Sequence, residues 1–232
     1  MGIRFARPGV VLVLFLLLVA CGEGSHSRLG PLLGMQQLHH RTDQAWPRVQ
    51  RIGLALYSDM AWPGAAPSIV QPFLDTLSRR TEEFLTRRCG VASVVPIAFP
   101  ASTQRAQMQK EFTSRGQEIG IAHLLLVVLS SREHSGPVTL GEERMMTQMS
   151  GTAVENTALA EVALVRLADY GVTIVLPGWA TETLELLDVP IGLDQPTREH
   201  SLEILRAQAG QQALDQALHV MGKWCERIPE KD

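Results

Sequence analysis

Cysteines, acids and histidines are the side chains in this sequence whose types and spacing could do chemistry. Cys21 directly follows Leu18-Val19-Ala20, where an ordinary small-x-small cleavage site gives no reason for a cysteine. Cys89 and Cys225 form an even pair once Cys21 is set aside. Two readings of that pair stay open. A disulfide would close a loop of over a hundred residues and contribute about 4–5 kcal/mol in the chain-entropy model. Alternatively, both are unpaired, partly buried thiols. Neither has a second Cys or His at ligand spacing, so no metal site is expected from them. His39-His40 are neighbours that point apart on a helix or strand, with no third ligand nearby. Glu142-Glu143 read as a solvated loop face rather than paired acid–base carboxylates. Asp59, His134 and Ser135 could form a hydrolase relay, but nothing in their spacing requires it. His123 opens an apolar run and reads as a structural histidine. HExxH, Gly-x-Ser-x-Gly, Ser-x-x-Lys and phosphate-binding glycine loops are absent from the sequence. No catalytic residue, cofactor or metal is therefore expected.

The elements that must place Cys21 come first in the chain. Arg4 and Arg7 supply a positive start, and residues 10–20 are an unbroken apolar run. That run is shorter than the roughly 20 residues a membrane span needs and matches the core of an export signal. Leu18-Val19-Ala20-Cys21 resembles the lipobox of bacterial lipoproteins. The resemblance implies that the sulfur of Cys21 receives a diacylglyceryl group, that residues 1–20 are cleaved away, and that the new amino end is acylated. One acyl chain holds a protein only marginally, whereas three anchor it durably. Gly22-Glu23 lack the aspartate that resembles an inner-membrane retention signal, so the expected site is the outer membrane, facing the periplasm.

Removing Arg4 and Arg7 from 21 basic residues against 24 acidic ones leaves a net charge of −5. Such a chain lacks the electrostatic footprint of a nucleic-acid binder. An apolar content of 45% supports a real core. The organisation expected is a signal at 1–20, a lipidated cysteine and tether at 21–50, and one globular domain at 51–228.

Glycines at 22, 24, 30 and 34 and Pro31 break the tether, and residues 35–44 could form a short helix. Ile52, Leu54 and Leu56 alternate in a first strand over 51–57. Ser68 is a candidate cap for a helix reaching Arg88, with Ile69, Phe73, Leu77, Phe84 and Leu85 at helical spacing and Gly90 just after it. A second strand covers 91–98, where Pro96 suggests an edge. Ser102 can cap a second helix through about Arg115. Residues 123–130 are apolar on both faces, as in a central strand. Residues 132–156 are polar and methionine-rich, readable as strand or loop. Strands over 157–167 and 172–176, hinged on Asp169-Tyr170-Gly171, form the clearest hairpin, which 181–187 could extend. A long helix over 196–227 closes the domain. The fold class is α/β, a mixed β-sheet with flanking helices in the order β-α-β-α-β, strand hairpin, α.

A lipobox, a short tether, Arg51-Ile52-Gly53-Leu54-Ala55, then Ile119-Gly120-Ile121-Ala122-His123-Leu124-Leu125-Leu126 and a hairpin on Leu167-Ala168-Asp169-Tyr170 follow one another. This order resembles the rhombotail-type lipoproteins. More broadly it is similar to the curli-secretion and penicillin-binding-protein-activator lipoproteins, which share a small α/β domain. The resemblance implies a non-catalytic envelope domain. Together with the lipobox, the tether and the lack of a catalytic constellation, it leads to the expectation of a domain held on a membrane through Cys21 that binds a periplasmic or envelope partner. Residues 132–156 lack the sustained alternation of barrel strands, so pore formation is not expected. Candidate partner contacts are Trp62 and Trp179, read as loop residues, and Met145, Met146 and Met149. Each tryptophan could instead plug the end of the core, and the methionines could line a partly buried edge. The competing functional expectation is an envelope enzyme or small-ligand carrier with a pocket at the strand ends.

Overall fold

The computed structural model describes residues 27–33, 46, 50–61, 64–100, 104–140, 149–187 and 195–226. Residues 1–26, and so Cys21, lie outside the described residues, as do the helix expected at 35–44, His39-His40, Trp62, Ser102, Glu142-Glu143, Met145 and Met146. The elements in chain order are α1 (Leu29–Leu33), β1 (Arg51–Ser58), α2 (Gln71–Arg88), β2 (Ser93–Pro96), α3 (Arg105–Ile119), β3 (His123–Leu140), β4 (Met149–Arg166), β5 (Gly171–Leu187) and α4 (Gln195–Cys225).

The five strands form one mixed sheet in the order β2-β1-β3-β4-β5. β2, β1 and β3 run parallel, and β3, β4 and β5 antiparallel. The α/β class with flanking helices is thus the observed one. β3 is central, and its alternation divides the core in two. Leu125, Val127 and Leu129 pack with Leu77 and Leu85 of α2 and with Ala209, Ala213, Ala217 and Leu218 of α4. Leu124, Leu126 and Val128 pack on the other face with Met108 and Phe112 of α3 and with Leu29 and Leu33 of α1. An apolar run covered on both faces is what a central strand requires.

Local boundaries depart from the periodicity in informative places. α2 starts at Gln71 after Val70, with no side-chain cap, so Ser68 does not cap it; Pro72 in the first turn pre-sets the helical φ instead. β2 is trimmed to four residues and is an edge strand, as Pro96 suggests. β3 runs ten residues beyond Ser130, and β4 begins at Met149, so the polar stretch contributes long strand ends. Its two arms pair with each other in unbroken register from Arg132↔Thr157 to Leu140↔Met149. Cross-strand hydrogen bonding holds them where apolar alternation does not.

The β4–β5 hairpin turns on Asp169 and Tyr170. Tyr170, not Gly171, takes the left-handed conformation, at φ 54°. Its hydroxyl donates to the Gln109 carbonyl in α3, which fixes the turn against that helix. Arg166 and Asp169 close the turn with two hydrogen bonds of 2.8 and 2.6 Å.

The segment read as a tether contributes to the core. Leu29 and Leu33 are buried against one sheet face, and Trp46 is buried on the other, edge-on to Trp224 at 5.1 Å. Leu29 and Leu33 stand four residues apart, one helical turn, and Pro31 is tolerated because the first turn makes no internal N–H bond there. Glycines and a proline that break a long helix are compatible with this single turn.

Cys89, which caps α2, is bonded as a disulfide to Cys225 at the end of α4, with the two Cα atoms 4.9 Å apart. The bridge therefore ties together the two helices that cover the same sheet face.

Candidate functional site

The most developed polar arrangement lies where α1 meets the sheet. Glu161 sits in the middle of β4 with only 3% of its surface exposed. Its side chain points to the α1 face, as do Ala163 and Val165 two and four residues on. A carboxylate there must be satisfied, because an unpaired buried charge is costly. Ser27 Oγ donates to it at 2.5 Å, the Arg28 N–H at 2.6 Å and the Leu29 N–H at 2.9 Å. Ser27 Oγ in turn accepts the Gly30 N–H at 3.2 Å. The residue after Gly30 is Pro31, which has no N–H. The start of α1 is therefore hydrogen-bonded throughout, and negative charge at a helix start is favourable.

A second contact reinforces the first. Arg28 Nε pairs with Asp59 at 2.7 Å. Asp59 also accepts the Ala61 N–H at 2.9 Å, and its backbone N–H donates to the Leu129 carbonyl. Nearby, burial raises the pKa of the Tyr57 phenol; the Asp59 charge adds to that rise and Arg28 opposes it. The assembly is a clasp: residues 27–29 are held by one acid from β4 and one from the end of β1.

A second polar cluster lies on the α4 face. Arg206, almost wholly buried, donates to Glu133 at 2.5 Å and to Glu199 at 3.0 Å. Burial pushes its pKa down, but the hydrogen bonds and charges of the two acids outweigh that and hold it above its ordinary value. Asn156 donates to Ser131 and Glu133 at 3.4 Å each. This network locks the far end of the long strands to α4.

The candidate residues read from sequence are dispersed over the fold. Asp59 is committed to Arg28 and Ala61, while His134 and Ser135 are successive strand residues on opposite faces of β3, so the hydrolase relay is not assembled. His123 opens β3; burial, and then the charge of Arg166, lower its pKa. Trp179 lies in β5, not in a loop, and is 41% exposed. Met149 opens β4. Among the described residues no group of three or more His, Cys, Asp or Glu could hold a metal. Among them also, no helix is long and apolar enough to cross a membrane.

Sequence reasoning does not single out Glu161. The available signal is an acid in the middle of the otherwise apolar run Ala158 to Leu164. Its partners, more than 130 residues away, carry none.

No protein-family model matches the chain, and no curated protein matches it. Solved structures do share similarity. The PelC dodecamer from Paraburkholderia phytofirmans is 15% identical, with 75% of this chain and 92% of that one covered and a TM-score of 0.30. The rare lipoprotein B from Shewanella oneidensis is 16% identical, with 74% and 94% covered and a TM-score of 0.30. The lipoprotein GNA1162 from Neisseria meningitidis is 12% identical, with 68% and 96% covered and a TM-score of 0.28.

Proposed function

We propose that this is a lipid-anchored envelope protein, acylated on Cys21, whose non-catalytic α/β domain binds an envelope partner from the periplasmic side of the outer membrane. The observation that carries the reading is the amino-terminal pattern: Arg4 and Arg7, an apolar run, and Leu18-Val19-Ala20-Cys21. The clasp supports it. A domain held by lipid is pulled through its amino-terminal segment, and that segment is bonded into the sheet at Ser27, Arg28 and Leu29.

Mass analysis of the membrane-extracted protein tests the anchor. The expected product begins at Cys21 and carries a diacylglyceryl group and an amide-linked acyl chain. Cys21→Ala is expected to stay uncleaved and unlipidated. A wild-type product that keeps residues 1–20, or carries no lipid on Cys21, overturns the reading. In-cell crosslinking to a specific envelope protein tests the binding role. Failure to capture any such protein, where control lipoproteins do, counts against that role alone.

A further inference from the structure

We propose that the end of the sheet face bearing Trp179, together with Met60, rests on the headgroup layer of the bilayer that holds Cys21. This rests on the reading that Cys21 is lipidated, and adds an orientation to it. The constraint starts from chain length. Cys21 precedes Ser27 by six residues, which span at most about 20 Å even fully extended. Ser27 is not free to drift from the domain, because its hydroxyl is bonded to buried Glu161 and the next two N–H groups share that carboxylate. The part of the domain around Glu161 is thereby kept within about 20 Å of the lipid attachment point.

Trp179 lies inside that neighbourhood. Glu161 pairs with Pro177 on β5, and Trp179 follows two residues on, opposite Leu159. That is about 7 Å along the strand and one strand spacing of about 5 Å across. Alternation places Trp179 on the same face as Val175 and the α1 contact. The residue is 41% exposed on a strand whose backbone is fixed, since the Trp179 N–H donates to Gln216 Oε1 at 3.1 Å. Met60, 51% exposed, directly follows Asp59, the acid that holds Arg28. Two exposed large apolar side chains therefore flank the clasp. Tryptophan is the side chain that favours the membrane–water interface, with its ring among headgroups and its indole N–H still hydrated. The other exposed large apolar residues described, Ile204 and Val220, are on α4, the layer across the sheet.

The test uses the full lipidated protein in vesicles of phosphatidylethanolamine and phosphatidylglycerol carrying bromine on the acyl chain near the headgroup. Flotation with the vesicles is measured first, then tryptophan quenching. The expected result is co-flotation, with a quenched emission component that Trp179→Phe removes. Adding Val220→Trp to Trp179→Phe, which puts an indole on the opposite layer, should restore emission without quenching. Co-flotation with quenching unchanged by Trp179→Phe overturns the orientation and leaves the lipid anchor intact. Trp179 that is shielded from aqueous acrylamide yet unquenched by bromine is covered by protein, and also overturns it. A protein that does not float has no lipid on Cys21, and both readings fall together.

Discussion

The Glu161 carboxylate accepts the Leu29 N–H at 2.9 Å across 132 positions of chain, and both residues are buried. The contact joins the middle of an inner strand to a segment whose composition reads as a linker. Glu161→Ala would leave the Ser27 hydroxyl and the Arg28 and Leu29 N–H groups without their acceptor. The expected loss is about 3 kcal/mol, by analogy with breaking a buried charged contact. Ser27→Ala should cost less, about 1 kcal/mol, since the two backbone donors still reach Glu161. Equilibrium guanidinium unfolding measures both. Equal costs for the two variants would show that the carboxylate is not what holds α1.

Gly178 in β5 lies directly under α4. A Cβ added there would collide with the Ala213 carbonyl oxygen and come within 2.6 Å of the Ala217 nitrogen, both backbone atoms that cannot rotate away. Gly178→Ala should therefore destabilise by about 3 kcal/mol, at the upper end for overpacking. Gly136→Ala is the control, because nothing lies within 4 Å of the place its methyl would take. Its effect should be within about 0.5 kcal/mol. Thermal unfolding of the pair checks the ordering.

The disulfide joins Cys89 and Cys225 across a sequence separation of 136. In the chain-entropy model a loop of that size stabilises the fold by about 5 kcal/mol. The double variant Cys89→Ser/Cys225→Ser should lose about 3–5 kcal/mol, within the range for native disulfides. Mass measurement with and without reductant should differ by two hydrogens in the wild type. Two freely alkylated thiols in the native protein would contradict the bridge.

His123 carries a pH dependence of defined sign. Burial, and secondarily the charge of Arg166, lower its pKa below the ordinary value. In the pH interval below about 6.5 the unfolded chain then binds more protons at this site than the folded one. Its contribution to stability is full above that pH and declines as pH falls through the lowered folded value. Titration of the imidazole by NMR should show the low pKa. Arg166→Gln should raise it only part of the way, because burial is the larger cause. The same variant should lift the Asp169 carboxyl from about 2, where the Arg166 hydrogen bond chiefly holds it, toward the ordinary carboxylate range. An unchanged His123 pKa in Arg166→Gln would assign the whole shift to burial.

The α/β order was legible because its signals are local. Ile52, Leu54 and Leu56 alternate within one strand, and residues 123–130 are apolar on both faces, a pattern only a covered central strand tolerates. In α4, Leu202, Leu205, Ala209, Ala213, Leu218, Met221 and Trp224 recur at helical spacing, and all but the half-buried Leu202 are buried. The ends of the long strands were not legible. Residues 132–140 and 149–156 carry polar side chains, and what keeps them extended is pairing with each other and with β5.

The sequence by itself determined the class of fold and the hairpin at Asp169 and Tyr170, and the proposed lipidation of Cys21 is read from it alone. Each rests on residues within a few positions of one another, where periodicity, turn chemistry and runs of one character are written directly. Only the tertiary structure decided that Glu161 meets Ser27, Arg28 and Leu29, that Arg28 meets Asp59, and that Trp179 stands exposed beside them. Those meetings depend on strand order and register, which set which face and which row each side chain occupies. A shift of one residue in β4 would turn Glu161 to the opposite face of the sheet, toward α4.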